Sequence, residues 1–172
     1  IRFSAKLKEA TLWAEAGYEV ASEQLPLNTA VKTPMKIAQG EALTVTESSA
    51  MVTVSNSDFT ATFSKTQGTL LRYVYKGQSI ISQPLKPNLF RLPTDNDGNK
   101  TGSWDDMGLT TFTGSGKGTT VAKSEDGQTA DISMKSVWTS TTSHKLNVQL
   151  DFKVCADGTI MVNSDINPVD QN

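Results

Sequence analysis

Short runs in which apolar and polar residues alternate recur along the chain, separated by turn-forming residues. The longest is Leu146, Val148, Leu150, Phe152 and Val154, with Asn147, Gln149, Asp151 and Lys153 between them. Side chains alternate sides along a strand, so this spacing gives a β-strand one apolar and one polar face. Asp157-Gly158 follows, a dipeptide that readily supplies the positive φ of a hairpin turn. Ile160, Val162 and Ser164 then resume the alternation, with Met161 and Asn163 on the opposite face. Upstream, Phe59, Ala61 and Phe63 alternate with Thr60 and Thr62. Lys65-Thr66-Gln67-Gly68 turns the chain, Leu70 to Tyr75 returns it, and Lys76-Gly77 offers another tight turn before Ile80-Ile81. A further hairpin joins Thr119–Ser124 to Ala130–Trp138 around Glu125-Asp126-Gly127-Gln128. This grammar predicts an all-β protein, an antiparallel β-sandwich.

Two regions depart from it. Lys6 to Gln24 is rich in Ala, Glu, Lys and Leu, and Glu15, Glu19 and Glu23 stand at helical spacing. Propensity alone reads helix there, although like charges four residues apart repel and Gly17 interrupts the run. Asp95 to Gly118 is dense in Gly, Asn, Asp, Ser and Thr and reads as one long irregular loop, a kind of segment that is usually functional or mobile when it sits inside a compact domain. Pro26, Pro34 and Gly40 punctuate a stretch without periodicity between Asn28 and Glu41, which marks a domain boundary.

Composition narrows the function classes. The 172 residues carry 16 basic and 18 acidic side chains, a net charge of −2. No basic block is present and aromatic residues are not interleaved with basic ones, which argues against nucleic acid as a partner. No apolar run approaches the roughly 20 residues that cross a bilayer, so no membrane partner is expected. Cys155 is the single cysteine, which excludes an internal disulfide framework and multi-cysteine metal sites. His144 is the single histidine, at the start of a strand beside a run of Ser and Thr. It reads as a strand-edge residue, and Ser-His-Asp or Cys-His chemistry has no other histidine to draw on. The chain opens on Ile1-Arg2-Phe3 and closes on Asn167-Pro168-Val169-Asp170-Gln171-Asn172. Both ends read as cut from something longer.

Four motifs, in order, carry a family likeness. Leu12-Trp13-Ala14-Glu15-Ala16-Gly17-Tyr18-Glu19-Val20-Ala21 is similar to a Trp-Ala-x-x-Gly-His-Glu-Val-Ala segment, with Tyr18 in place of the histidine. Phe63-Ser64-Lys65 through Gly68 resembles a Phe-x-x-x-x-Gly hairpin. Asn88-Leu89-Phe90-Arg91-Leu92-Pro93-Thr94-Asp95-Asn96-Asp97 resembles Phe-x-Arg-x-Pro-x-Asp-Asn-Asp. Trp104 with Met107-Gly108-Leu109 fits a trailing Trp-x-x-x-Gly-Leu element. Together they resemble the C-terminal region of family 2 glycoside hydrolases, the β-galactosidases in particular. The resemblance implies that residues 1–36 are the last strands of an immunoglobulin-like domain. Residues 37–172 would then be the N-terminal part of a large β-supersandwich. It also replaces the helix reading of Lys6–Gln24 with a loop feeding a final strand over Tyr18–Leu27.

The family hydrolyses terminal β-galactosides with retention, which requires two carboxyl groups about 5 Å apart. In the family both are glutamates on an α/β barrel N-terminal to the region resembled here. None of Glu9, Glu15, Glu19, Glu23, Glu41, Glu47 or Glu125 falls in a matching motif, so no catalytic residue is carried over. The resemblance places the loop after Arg91 near the mouth of the active site. Arg91, Asp95, Asn96, Asp97 and Trp104 are therefore the candidates for shaping the substrate entrance or the interface with the barrel. A plainer reading stands beside this one: Asp and Asn before Gly98 form turns, Arg91 pairs with a loop carboxylate, and Trp104 packs at an interface. Trp138, at the end of an alternating strand, reads as core. Asp95, Asp97, Asn99 and Asp106 have the spacing of a calcium loop, but Lys100 stands where that loop needs glycine. No metal site and no cofactor are expected in this stretch, with a divalent or monovalent cation left to the parent enzyme. The implied partners are the parent's catalytic barrel and, through the full enzyme, a galactoside. Alternatives are an independent carbohydrate-binding β-sandwich and a structural immunoglobulin-like adhesion piece. A supersandwich cut partway would leave strand edges unpaired, which predicts either self-association into a homo-oligomer or a smaller closed sandwich.

Overall fold

The computed structural model describes residues 1–26, 39–92, 94 and 108–169, and the chain divides into two units, Ile1–Lys36 and Ile37–Asn172. Among the described residues all regular structure is antiparallel β.

In the first unit β1 (Arg2–Lys6) pairs with β2 (Glu19–Gln24). The Ala- and Glu-rich stretch is not helical. Lys6 pairs with Glu19, and the Leu7 amide donates to the Tyr18 carbonyl at 2.9 Å, so strand pairing overrides propensity. Gly17, at φ +87°, turns the chain into β2 and donates to the Leu7 carbonyl. Glu19 is held by the Ser4 hydroxyl and by the Arg2 guanidinium at 2.9 Å. Its carboxyl lies below the usual range, chiefly through the Ser4 and Ser22 hydroxyls and then through Arg2. Trp13 and Tyr18 meet edge to face at 5.4 Å.

The second unit is a sandwich of two sheets. One has five strands in sequence order: β3 (Thr44–Glu47), β4 (Met51–Ser55), β5 (Phe59–Ser64), β6 (Thr69–Tyr75) and β7 (Gln78–Ser79). The other has four: β8 (Thr113–Lys123), β9 (Thr129–Thr139), β10 (Lys145–Cys155) and β11 (Ile160–Pro168), again in sequence order. Each sheet is a meander, as expected when short turns join successive alternating runs. Lys76 and Gly77, both at positive φ, form the two-residue turn that lets Tyr75 pair with Gln78. Gly158, at φ +88°, closes the β10–β11 hairpin by donating to the Cys155 carbonyl.

The core lies between the sheets. The alternating residues of β10 are all buried, as are Ala130, Ile132, Met134 and Trp138 of β9. They face Val52, Val54, Phe59, Ala61, Phe63 and Leu70 of the other sheet, and the Phe63 and Phe152 rings meet at 5.0 Å. Trp138 is core, its indole N–H donating to the Ser136 hydroxyl at 3.0 Å.

β8 corrects the reading of Asp95–Gly118 as one loop, because Thr113 to Gly118 is strand. Gly114 pairs with Trp138 and Gly116 with Ser136, and a bulge before Gly118 shifts the register. The glycines are there for clearance. A Cβ on Gly116 would lie 1.8 Å from the Lys65 carbonyl oxygen, and one on Gly114 would lie 2.6 Å from that of Gln67. The β5–β6 turn therefore lies directly on this strand, and the Gly116 amide donates to the Thr66 carbonyl.

The segment before β3 ties the turns of both sheets together. The Gln128 amide both accepts from the Gly40 N–H (3.0 Å) and donates to the Gly40 carbonyl (3.1 Å). Asn56 donates to the carbonyls of Glu41 and Ala156, at 3.0 and 2.8 Å. The Leu43 amide donates to Gly127, and Leu43 itself is buried.

Candidate functional site

Of the five residues singled out from sequence, Asp95, Asn96, Asp97 and Trp104 lie outside the described residues, as do the calcium-like Asn99 and Asp106. Arg91 is described. It is exposed, and its guanidinium donates to the neighbouring Leu92 carbonyl at 3.1 Å. The Phe90 amide is taken by the Asn88 side chain at 3.2 Å.

The sandwich holds the chain firmly on both sides of that segment. On the way in, the Leu85 amide donates to the Leu70 carbonyl, and the buried Thr69 hydroxyl donates to the Leu85 carbonyl at 2.7 Å. On the way out, Gly108 (φ +61°) accepts from the Thr111 hydroxyl at 2.7 Å, and that hydroxyl also lies 3.0 Å from Thr141. Phe112 then enters the core. The two stems meet at one cleft of about 170 Å³, where Gln83, Pro84 and Lys86 face Phe112, Thr113 and Gly114 with Trp138 at the floor.

A second surface was not singled out from the sequence. The outer, polar face of the four-stranded sheet forms a groove of about 530 Å³, lined in part by Thr120, Asp131, Ser133, Asp151, Lys153 and Asn163. Its groups are largely engaged with one another. Ser133 donates to Asp151 at 2.6 Å, Gln149 donates to the same carboxylate at 3.2 Å, and Lys153 lies 3.0 Å from Asp131. The alternating polar residues of β10 were the visible signal, but that they form a continuous groove depends on the register with β9 and β11.

Other titratable groups are placed as follows. Glu47 pairs with Lys65, and Glu41 accepts from the Ser57 amide at 3.3 Å. His144 lies in the turn before β10, its amide bonded to the Ser140 hydroxyl. Cys155 is buried, and burial, then the Asp157 charge, pushes its thiol up from the ordinary value. That favours an inert thiol over a nucleophile. Burial likewise raises Tyr73, whose hydroxyl donates to the Gly158 carbonyl. Among the described residues no cluster of three His, Cys, Asp or Glu could hold a metal ion.

Two family models match the chain. The one described as beta galactosidase small chain covers residues 55–171, and the one described as beta-galactosidase, domain 4, covers residues 1–28. A beta-galactosidase of Priestia megaterium is 40% identical over 101 residues, 58% of this chain. One of Clostridium acetobutylicum is 34% identical over 101 residues, 55% of the chain. One of Actinobacillus pleuropneumoniae is 28% identical over 161 residues, 91% of the chain. The chain spans about a tenth of the length of the first two and 16% of the third. The family read from the motifs is the family that matches, over more than half of the chain: this protein belongs to the beta galactosidase small chain family.

Proposed function

We propose that the chain is a non-catalytic C-terminal stretch of a retaining β-galactosidase. In this reading it braces the catalytic barrel and presents the Arg91–Asp97 segment at the entrance for terminal β-galactosides. The observation that carries the reading is the family match over residues 55–171, joined to curated relatives that bear the name beta-galactosidase and are far longer than this chain. The geometry around the segment is compatible with it. Described residues before and after the segment, Pro84 and Lys86 on one side and Phe112 to Gly114 on the other, line one cleft of the sandwich. Asp and Asn side chains, with Trp104, would offer sugar hydroxyls both donors and acceptors and an apolar face. Residues 1–36, on this reading, are the last strands of an immunoglobulin-like domain preceding the supersandwich.

The test uses a nitrophenyl β-galactoside. The isolated chain should give no turnover, while the complete enzyme cleaves the substrate. Replacing Asp95, Asn96 and Asp97 with Ala in the complete enzyme should reduce kcat/KM, with the sandwich intact by circular dichroism. Unchanged kinetics would remove the entrance-shaping role. Galactoside binding by the isolated chain would instead favour an independent carbohydrate-binding module.

A further inference from the structure

The segment that leads into β3 is bound to the sandwich by a few directed bonds and one side chain. Gly40 shares both its N–H and its carbonyl with the Gln128 side-chain amide. The Glu41 carbonyl accepts from Asn56, and the Leu43 amide donates to the Gly127 carbonyl at 2.9 Å. β3 continues from there and, among the described residues, pairs with β4 alone. Across residues 40–47 Leu43 is the one buried side chain, with Gly40 and Val45 half-buried and the others exposed. The next strand inward differs, since β4 buries both Val52 and Val54 in full.

Taking this segment away does not undo the closure of the two sheets. The Asn56 amide also donates to Ala156, at 2.8 Å, and the Tyr73 hydroxyl donates to Gly158, so the five-stranded sheet stays bonded to the β10–β11 turn. The Phe63 and Phe152 rings remain packed between the sheets. Cohesion thus falls into two parts, a core shared by both sheets and residues 40–47 laid against it. Segments with few buried apolar contacts open at lower free energy than core strands do.

The fit at Gly40 makes the attachment conditional. A Cβ there would lie 2.2 Å from the Ala156 carbonyl oxygen and 3.1 Å from the Asp157 nitrogen, so only glycine lets the chain lie against that peptide. At the other end, Ser48 is held independently, its amide donating to the Met51 carbonyl and its hydroxyl accepting from the Met51 amide.

We propose that residues 40–47 are a releasable clip, which leaves the sandwich as one unit while both sheets stay closed. Seated, the clip fixes the chain arriving from the first unit to the sandwich at Gly40. Released, it moves the fixed point to the β3–β4 turn at Ser48 and turns residues 40–47 into free chain with a reach of up to about 26 Å. The two positions differ in how tightly the covalent connection between the units is held.

Amide exchange of the 172-residue chain, read residue by residue, is the experiment. The Ser48–Met51 bond sets the phase of the ladder, so Thr46 and Thr44 also direct their amides to β4. Leu43, Thr44 and Thr46 should exchange through one common opening, on the order of tenfold or more faster than Phe152 in the interior strand β10. Leu150→Ala, in the middle of β10, should raise exchange at Phe152 by about a hundredfold and leave the three clip amides unmoved. Gln128→Ala should raise the three together by about tenfold, as the loss of one or two hydrogen bonds gives. Gly40→Ala should strip protection from all three while Phe152 stays protected, and a nitroxide on Thr44 should then gain a mobile component. Clip amides that rise with Phe152 in Leu150→Ala, or that answer Gln128→Ala one at a time, would each overturn the proposal. So would a Gly40→Ala protein whose Phe152 amide is unprotected as well.

Discussion

The two-stranded ribbon of residues 1–26 and the sandwich of residues 39–169 are built from the same antiparallel pairing, yet they differ in what backs that pairing. Every residue of β1 and β2 is exposed, and the ribbon is held by its ladder, by Gly17 in the turn, and by Arg2 and Ser4 on Glu19. In the sandwich the ladders are backed by a continuous apolar layer that includes Phe63, Phe152 and Trp138. Backbone hydrogen bonds yield little net stability against water, whereas burying a large apolar side chain yields about 1.5–3 kcal/mol. The comparison teaches that register can be specified in both regions while stability is concentrated in one.

The largest expected effect tests that concentration directly. Phe152→Ala should destabilise the sandwich by about 3–5 kcal/mol in urea unfolding, since its ring is buried against Phe63. Phe3→Ala, at an exposed ribbon position, should leave the same transition within about 0.5 kcal/mol. Next comes clearance. Gly116→Ala should destabilise by about 1–3 kcal/mol, because the added methyl meets a backbone carbonyl that cannot step aside. Gly118→Ala, two residues along with open space around it, should be near neutral by the same measurement. A smaller effect is expected from Gly17→Ala. Forcing an L-residue into the left-handed region costs about 1–2 kcal/mol. The loss should appear as faster amide exchange at Leu7 and Tyr18, with the sandwich transition unmoved.

Smallest are the titrations. Glu19 in the ribbon and Asp126 in the sandwich both titrate below their ordinary values, Glu19 chiefly through Ser4 and Asp126 chiefly through Ser124 and then the Gln128 amide. Depressed carboxyl groups favour the fold when ionised. Their contribution is present above the unfolded value and is lost as pH falls through the depressed one. NMR titration should place both midpoints below the ordinary Glu and Asp values, and Ser4→Ala and Ser124→Ala should each move only its own carboxyl back up.

Much of the sandwich could be read from residue pattern, since alternation is a local property. β10 and its turn at Gly158, β5 and β6, and the core position of Trp138 follow from spacing and turn chemistry alone. β8 did not. Gly114 and Gly116 look like loop residues until the Lys65–Gln67 turn is seen lying on them, and that contact joins positions about fifty residues apart. The ribbon was misleading on propensity, and the Trp13–Ala21 motif read it better than composition did. For the candidate site, the sequence motif pointed to the segment after Arg91, and of its five candidates only Arg91 lies among the described residues. The outer groove could not be foreseen, because it exists only once β8 to β11 are in register.

The short segment from Gly40 to Leu43 has a consequence for how the molecule assembles. Within each sheet every neighbour is also a neighbour in sequence, so the hairpins can form early and independently. Gly40 with Gln128 and Asn56 with Ala156 are different, spanning 88 and 100 residues. Bonds that close such long loops are entropically late events. They act as a latch, set after the two sheets have met. Gln128→Ala should therefore speed unfolding while leaving the refolding rate nearly unchanged. The residence time of the folded state, more than the ease of reaching it, would then rest on two side-chain amides.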